Sequence, residues 1–251
     1  MSALGIIGTG DMAAPMIRYL ARRGHDIWIS ERSETMSKSL ARDFDTVTRA
    51  PNQTVVDKAD IVFLCLRPAV WQAPTDALDF RADHQIISVM GGPSVAEITL
   101  ACAPATNISV VIPMAAMEHG GCPLPVYPAT TEIDALFGED NPILPLSSEA
   151  DIAAHFAAST MLSAVFGLMH DGADWLGQQT GNPDGSETYV TALINAMLRD
   201  VPHGAGNLLT ARDALATPGT LNLAMVEGLA KGDVTNALHT TLNGILKGLK
   251  I

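Results

Sequence analysis

Continuous apolar runs recur along the first half of the chain, separated by stretches with helical spacing. Leu4-Gly5-Ile6-Ile7-Gly8, Asp26-Ile27-Trp28-Ile29-Ser30, Ile61 to Leu66, Gln85 to Met90 and Ile108 to Ile112 read as strands. Met12 to Arg23, closed by Gly24, and Glu34 to Phe44 read as helices. A strand that is apolar at every position has both faces covered, so these runs predict a parallel sheet between two helix layers. Right-handed crossovers make such a sheet doubly wound. Two weaker strands follow near Pro125-Val126-Tyr127 and Ile143 to Leu146.

The texture changes after Ser148. Glu149 to Gln179 has the spacing of one long helix, which Ser148 is placed to cap. Gly181-Asn182-Pro183-Asp184-Gly185 reads as a turn, and Glu187–Leu198, Ala205–Ala216 and Leu221–Leu249 read as further helices. The expected organisation is an α/β domain over 1–148 followed by an all-helical domain over 149–251. The long helix is apolar nearly all round (Ala154, Ala157, Ala158, Met161, Leu162, Ala164, Val165). A helical domain of roughly 100 residues has little core in which to hide it. Burial against a second subunit, as in a homodimer, is therefore favoured over burial within one chain.

Composition narrows the function. The 251 residues carry 15 Lys and Arg against 27 Asp and Glu, a formal charge of -12. No basic patch is visible, so nucleic acid is not an expected partner. Cys65, Cys102 and Cys122 form no CxxC pair, which fits free thiols in a reducing compartment and offers no zinc site; no metal is expected. The first residues lack a basic stretch before an apolar one, and no uninterrupted apolar run reaches the ~20 residues of a membrane span. The expectation is a cytoplasmic protein without a membrane partner.

The strongest motif is Gly8-Thr9-Gly10-Asp11-Met12-Ala13, between a strand and a helix. This GxGxxA spacing is a Rossmann-type dinucleotide fingerprint. Gly8 makes the tight turn, Gly10 admits a pyrophosphate to the backbone, and Ala13 lets the helix pack on the strand. The helix start then offers free N–H groups and the positive end of its dipole. After the second strand, Glu31 suits a ribose hydroxyl and hence NAD, whereas Arg32 and Ser33 suit the 2′-phosphate of NADP. The balance leans to NADP(H) over NAD(H). Leu66, Arg67 and Pro68 end the next long run, Gly91 and Gly92 the one after, and Pro113 the last. Ligands of open α/β sheets lie beyond the carboxyl ends of strands, so these residues are expected along the cofactor cleft, although Gly91-Gly92 also reads as a plain turn.

These residues resemble the pyrroline-5-carboxylate reductase family over nearly the whole chain. Gly5 to Ala13 is similar to the family's start, Leu64-Cys65-Leu66-Arg67-Pro68 to its hydrophobic-Lys-Pro loop, and Ser88 to Gly92 to its Ser-to-Gly strand end. Ile112-Pro113 followed by Gly120 is similar to its Met-Pro-Asn segment, and Ala216 to Asn222 to its Thr-Ser-Pro-Gly-Gly-Thr-Thr loop. The resemblance implies a Rossmann domain, a helical domain interleaved with that of a second subunit, and NAD(P)H-dependent reduction of a C=N bond. The substrate would be 1-pyrroline-5-carboxylate, giving proline, or a related small imine. It also implies that Gly219, Thr220, Leu221 and Asn222, at a helix start, hold a substrate carboxylate. The chain departs from the family at Met114, which replaces Asn, at Thr220, Leu221 and Asn222, and at Ser159 to Ser163, which replace Ser-Gly-Pro-Ala.

No proton donor stands out. Ser163, Thr220 and Asn222 are the catalytic candidates, with Thr160 beside Ser163. Glu118, His119, His170, Asp171 and Asp174 are titratable groups in plausible places, each read as solvated or structural ahead of catalytic. Other readings stay open. A β-hydroxyacid-type dehydrogenase needs a lysine on the long helix, and no lysine lies between 59 and 230. A deazaflavin-linked NADP oxidoreductase shares the Rossmann half, but the loop at Ala216 to Asn222 argues against it. A non-catalytic NAD(P)-binding sensor or interaction protein would keep the cofactor half alone.

Overall fold

A computed structural model describes residues 2–249. Among these residues eight strands form one sheet: β1 (Leu4–Ile7), β2 (Ile27–Ser30), β3 (Val47–Ala50), β4 (Ile61–Leu64), β5 (Gln85–Ser88), β6 (Asn107–Val111), β7 (Leu124–Tyr127) and β8 (Ile143–Pro145). Their spatial order is β3-β2-β1-β4-β5-β6-β7-β8. All neighbouring pairs are parallel except β6 and β7, which run antiparallel. The helices among the strands are α1 (Ala13–Arg22), α2 (Glu34–Asp43), α3 (Asn52–Lys58), α4 (Gln72–Asp76), α5 (Val95–Ala101) and α6 (Thr131–Phe137). The helices after β8 are α7 (Glu149–Ser159), α8 (Met161–Thr180), α9 (Pro183–Arg199), α10 (Asn207–Leu215), α11 (Leu221–Lys231) and α12 (Val234–Gly248).

Strand periodicity sorts the core into two layers. Leu4, Ile6, Ile61, Phe63 and Ile87 point to one face and meet Ala13, Ile17 and Leu20 of α1. Ile7, Val62, Leu64 and Ile86 point to the other and meet Val55 and Val56 of α3 and Ile98 of α5. Both faces are covered, which is why the strands read as unbroken apolar runs. The end of α1 is a Schellman motif. Gly24, at φ +78°, donates its N–H to the Ala21 carbonyl, and His25 donates to that of Leu20.

Several elements differ from expectation. β3 lies at the sheet edge, where only Val47 and Ala50 face the core, so its polar sequence carries no strand signal. The expected 149–179 helix breaks at Thr160, whose hydroxyl donates to the Ala157 carbonyl at 2.6 Å. The expected turn at Gly181–Gly185 contains a helix start, with Pro183 in the first turn of α9 and the Asn182 side chain accepting from the Gly185 N–H. The expected closing helix breaks at Gly232 and Asp233, the latter at φ +58°.

The chain divides into two compact units. The first runs to Phe156 and takes back the chain from Leu246; the second spans Ala157–Ile245. The first unit continues past the expected junction at Ser148 because the opening turns of α7 belong to its core. Ser148 caps α7 by accepting the Asp151 N–H, Glu149 accepts the Val95 N–H at the start of α5, and Ile152 and Ala153 are buried. In the second unit α8 and α9 pack as a hairpin that buries little beyond Ala173, Gly177 and Ser186. Helices α10, α11 and α12 have no buried residue among those described. Within the α7–α8 stretch, 149–180, an 18-residue window has the mean hydropathy (1.6) of a membrane-crossing helix, although no uninterrupted apolar run suggests one.

Candidate active site

The strand order reverses direction between β1 and β4, and the carboxyl ends of these strands open there. A cleft of about 490 Å³ occupies this point. Its wall is built from the ends of four strands: Gly8 to Ala13 after β1, Arg32 and Ser33 after β2, Cys65 to Pro68 with Val70 after β4, and Val89 to Gly91 after β5.

The two glycines of the fingerprint are required for different reasons. Gly8 has φ +101°, and a Cβ there would lie 2.4 Å from the Cys65 carbonyl oxygen, so only glycine fits the turn. Gly10 has no positive φ, and a Cβ there would meet nothing within 4 Å. The protein's own packing does not demand glycine at position 10; the missing side chain leaves the start of α1 open to the cleft. That start has no side-chain cap. Such an uncapped helix start favours an anion through its dipole, while the Ala13 and Ala14 N–H groups are donated to the Gly10 carbonyl. Ser30, at the end of β2, holds the loop in place. Its hydroxyl accepts the Gly8 N–H at 2.8 Å, and the buried Thr9 hydroxyl donates to the Ser30 carbonyl at 3.3 Å.

The structure brings Gly8, Thr9, Gly10, Asp11, Met12, Ala13, Arg32, Ser33, Leu66, Arg67, Pro68 and Gly91 onto one cleft. It does not bring Glu31 or Pro113 there. Glu31 faces Arg49, with Oε1 3.9 Å from Nη2, and Pro113 is buried behind the end of β6. Cys65, Val70, Val89 and Met90 also line the cleft, each adjacent to a motif already singled out. Burial pushes the Cys65 thiol up to about 12, so it stands in the wall uncharged. Gly91 also serves packing, since a Cβ there would press on the Phe156 ring at 3.0 Å.

The titratable candidates are placed elsewhere. Glu118, on the short 3₁₀ turn Ala115–His119, accepts from Arg22 at 2.8 Å and from Arg18 at 3.2 Å. Burial opposes its ionisation, but these two guanidinium groups outweigh that and hold the carboxyl below its ordinary value. Glu118 is therefore a clamp between this turn and α1. Because its folded value is lowered, the clamp's contribution is full above the unfolded value of about 4.3 and is lost as pH falls through the folded value. Unfolding curves of the wild type and Glu118→Gln are expected to differ at neutral pH and to converge in acid. His170, Asp171 and Asp174 lie on α8, where Asp174 accepts from Gln178 at 2.7 Å. Ser163 is exposed on the same helix.

The loop before α11 is formed by Gly219, at φ +84°, and Thr220. The Thr220 hydroxyl accepts the Leu223 N–H at 3.2 Å and donates to the Thr217 carbonyl at 2.7 Å, so it caps the helix and its proton is committed. Leu221 is 90% exposed and Asn222 is exposed beside it.

The sheet order, the cleft at its reversal point and the open glycine loop define a Rossmann-type dinucleotide fold, followed in the chain by helices. Residues 3–92 match the family model described as NADP oxidoreductase, coenzyme F420-dependent. The chain is 25% identical over 128 residues to the pyrroline-5-carboxylate reductase of Corynebacterium melassecola, a match that spans about half of each: 48% of this chain and 47% of that protein. Among solved structures it is similar to Plasmodium falciparum pyrroline carboxylate reductase with NADP bound (TM-score 0.85, 14% identity, 99% of this chain and 97% of that one). It is also similar to the Streptococcus pyogenes 1-pyrroline-5-carboxylate reductase (0.84, 19%, 99% and 98%). An imine reductase from Pseudomonas sp. shares the fold at a TM-score of 0.63 (15%, 98% and 91%). The resemblance to pyrroline-5-carboxylate reductases that the motifs carry thus extends to the whole fold.

Proposed function

We propose that this protein is an NAD(P)H-dependent reductase of the C=N bond of a small imine. The observation that carries the cofactor part is Gly10, where a Cβ would meet no atom within 4 Å, so that the protein's own packing does not require the glycine that keeps this space open. The residues present fit a dinucleotide. The amides at the start of α1 suit its diphosphate, and Arg32 and Ser33 suit a 2′-phosphate. Bound there, the cofactor supplies a hydride from its nicotinamide. The preference for NADPH follows from what faces the cleft, since Arg32 and Ser33 line it and Glu31 does not. Replacing Arg32 by Ala is expected to weaken NADPH binding about tenfold and leave NADH within about twofold, measured by calorimetry.

Among the described residues of the cleft wall no lysine or imidazole is present, the one carboxyl, Asp11, is exposed to solvent, and burial makes the Cys65 thiol a very weak acid. The proton then arrives with the substrate, taken up as its iminium cation, which a chain of net charge -12 attracts. The long-helix and loop residues Ser163, Gly219, Thr220, Leu221 and Asn222 remain the proposed substrate contacts. For a carboxylated imine, the free N–H groups at the start of α11 and the Asn222 amide are the available donors, because Thr220 is engaged as a cap. The exposed Leu221 favours a second reading, in which the imine carries no carboxylate. The helical unit is the proposed surface of self-association, in a cytoplasmic protein.

The test is steady-state oxidation of NADPH and NADH with 1-pyrroline-5-carboxylate and, in parallel, with 1-pyrroline. Turnover with either imine supports the reading, and the ratio of the two rates decides the carboxylate question. Cofactor binding without turnover of either would turn the reading towards a sensor. The match to the F420-dependent family covers only 3–92, within the dinucleotide half, and leaves the helical half unassigned.

A further inference from the structure

The end of the cleft beyond β2 holds a charge arrangement that the glycine fingerprint does not account for. Two carboxylates, Glu31 and Glu34, flank Arg32 and Ser33 where the chain enters α2. Glu34 pairs with Lys38 one turn further on. Glu31 faces Arg49, which reaches it from β3, where Arg49 stands in register beside Ile29 of β2. The Arg49 side chain is only 22% exposed, and its Nε donates to the Ser37 hydroxyl of α2 at 2.9 Å. Ser37 is itself fully buried and donates to the Glu34 carbonyl at 3.3 Å. The guanidinium is thus fixed from behind by α2, with its Nη2 3.9 Å from Oε1 of the half-exposed Glu31, an ion-pair contact without a hydrogen bond. Arg32, by contrast, forms no ion pair among the described residues and lines the cleft.

We propose that Arg49 is a positioning residue for cofactor choice: it holds Glu31 outside the cleft and neutralises it, leaving Arg32 and Ser33 to meet a 2′-phosphate. The inference rests on the dinucleotide reading above. Its physical content is a competition at one place. A free carboxylate at the end of this strand accepts a hydrogen bond from a ribose 2′-hydroxyl and repels a 2′-phosphate. Pairing the carboxylate with an arginine removes both effects. A lysine keeps the charge but lacks the fork that reaches Ser37 and Glu31 together.

The test is calorimetric titration of NADPH and NADH into the wild type, Arg49→Ala, Glu31→Gln and the double variant. In Arg49→Ala the NADPH dissociation constant is expected to rise about tenfold, while that for NADH stays level or falls. In the double variant, where no carboxylate is left to release, the NADPH constant is expected to return to within about twofold of the wild type. Equal losses for both cofactors, or no rescue by Glu31→Gln, would overturn the proposal and assign Arg49 a purely structural role. If Arg49→Ala fails to fold, Arg49→Gln keeps a donor to Ser37 and carries the same expectation. The dinucleotide reading fails separately, and this proposal with it, if the wild type binds neither cofactor. If the wild type prefers NADPH and Arg49→Ala keeps that preference, only the role of Arg49 is lost.

Discussion

Replacing Gly10 by Ala is expected to leave the melting temperature within about 2 °C of the wild type while weakening NADPH binding a hundredfold or so, whereas Gly8→Ala is expected to unfold the protein early. The contrast follows from the two environments. At Gly8 a Cβ would sit 2.4 Å from the Cys65 carbonyl oxygen, on a backbone with φ +101°, and neither strain relaxes without moving the end of β4. That combination costs on the order of 3 kcal/mol. At Gly10 a Cβ meets no protein atom within 4 Å, so stability is indifferent to it. The methyl group instead occupies the space above the amides at the start of α1, where a diphosphate must approach closely. Differential scanning calorimetry and NADPH titration of both variants check the pair. Loss of stability in Gly10→Ala, or undiminished cofactor affinity, would place the diphosphate elsewhere.

The second large effect concerns assembly. Met161, Val165, Leu168 and Trp175 fall on one stripe of α8, and all are exposed in the single chain. With α10, α11 and α12 burying nothing among their described residues, the second unit lacks the core a stable helical unit needs. A second copy laid on this surface would supply it, and a two-fold axis would count each contact twice. Leu168→Asp removes roughly 2 kcal/mol of apolar burial per copy and adds an unpaired charge. The dimer dissociation constant is then expected to rise about a thousandfold or more. Sedimentation equilibrium of the wild type and the variant at micromolar concentration reads this directly. A monomeric wild type, or a Leu168→Asp protein that remains fully assembled, contradicts the assignment of this stripe. A membrane role for 149–180 makes the opposite prediction, partition into vesicles without self-association; the burial of Ile152 and Ala153 in the sheet unit argues against it.

How much of this was readable beforehand depended on whether a feature is local. The central strands announce themselves because both faces are covered, and the glycine loop does so because turn, approach and packing are all specified within six consecutive residues. β3 was silent because an edge strand with one side in solvent, Val47-Thr48-Arg49-Ala50, has no apolar run to show. The break at Thr160 was hidden because both flanking segments are good helices and the interruption is one back-bonded hydroxyl. The cleft wall followed from strand ends, but the placing of Glu31 did not. It turns on Arg49 in the neighbouring strand, a contact that only the register of β2 and β3 creates. Ser30 is a similar case, since its hydroxyl acts on a glycine in another strand's loop. In the second unit the apolar surplus was visible in the sequence; a second copy of the chain is the cover we propose for it.

The most direct test of the central claim is isotopic. NADPH carrying deuterium at the transferable C4 position is incubated with the protein and either 1-pyrroline-5-carboxylate or 1-pyrroline, and the product amine is examined by mass spectrometry. The account predicts that the deuterium appears on the former imine carbon of at least one product. Bound NADPH that gives its deuterium to neither imine would contradict it, leaving a dinucleotide-binding protein that does not reduce C=N bonds of this class.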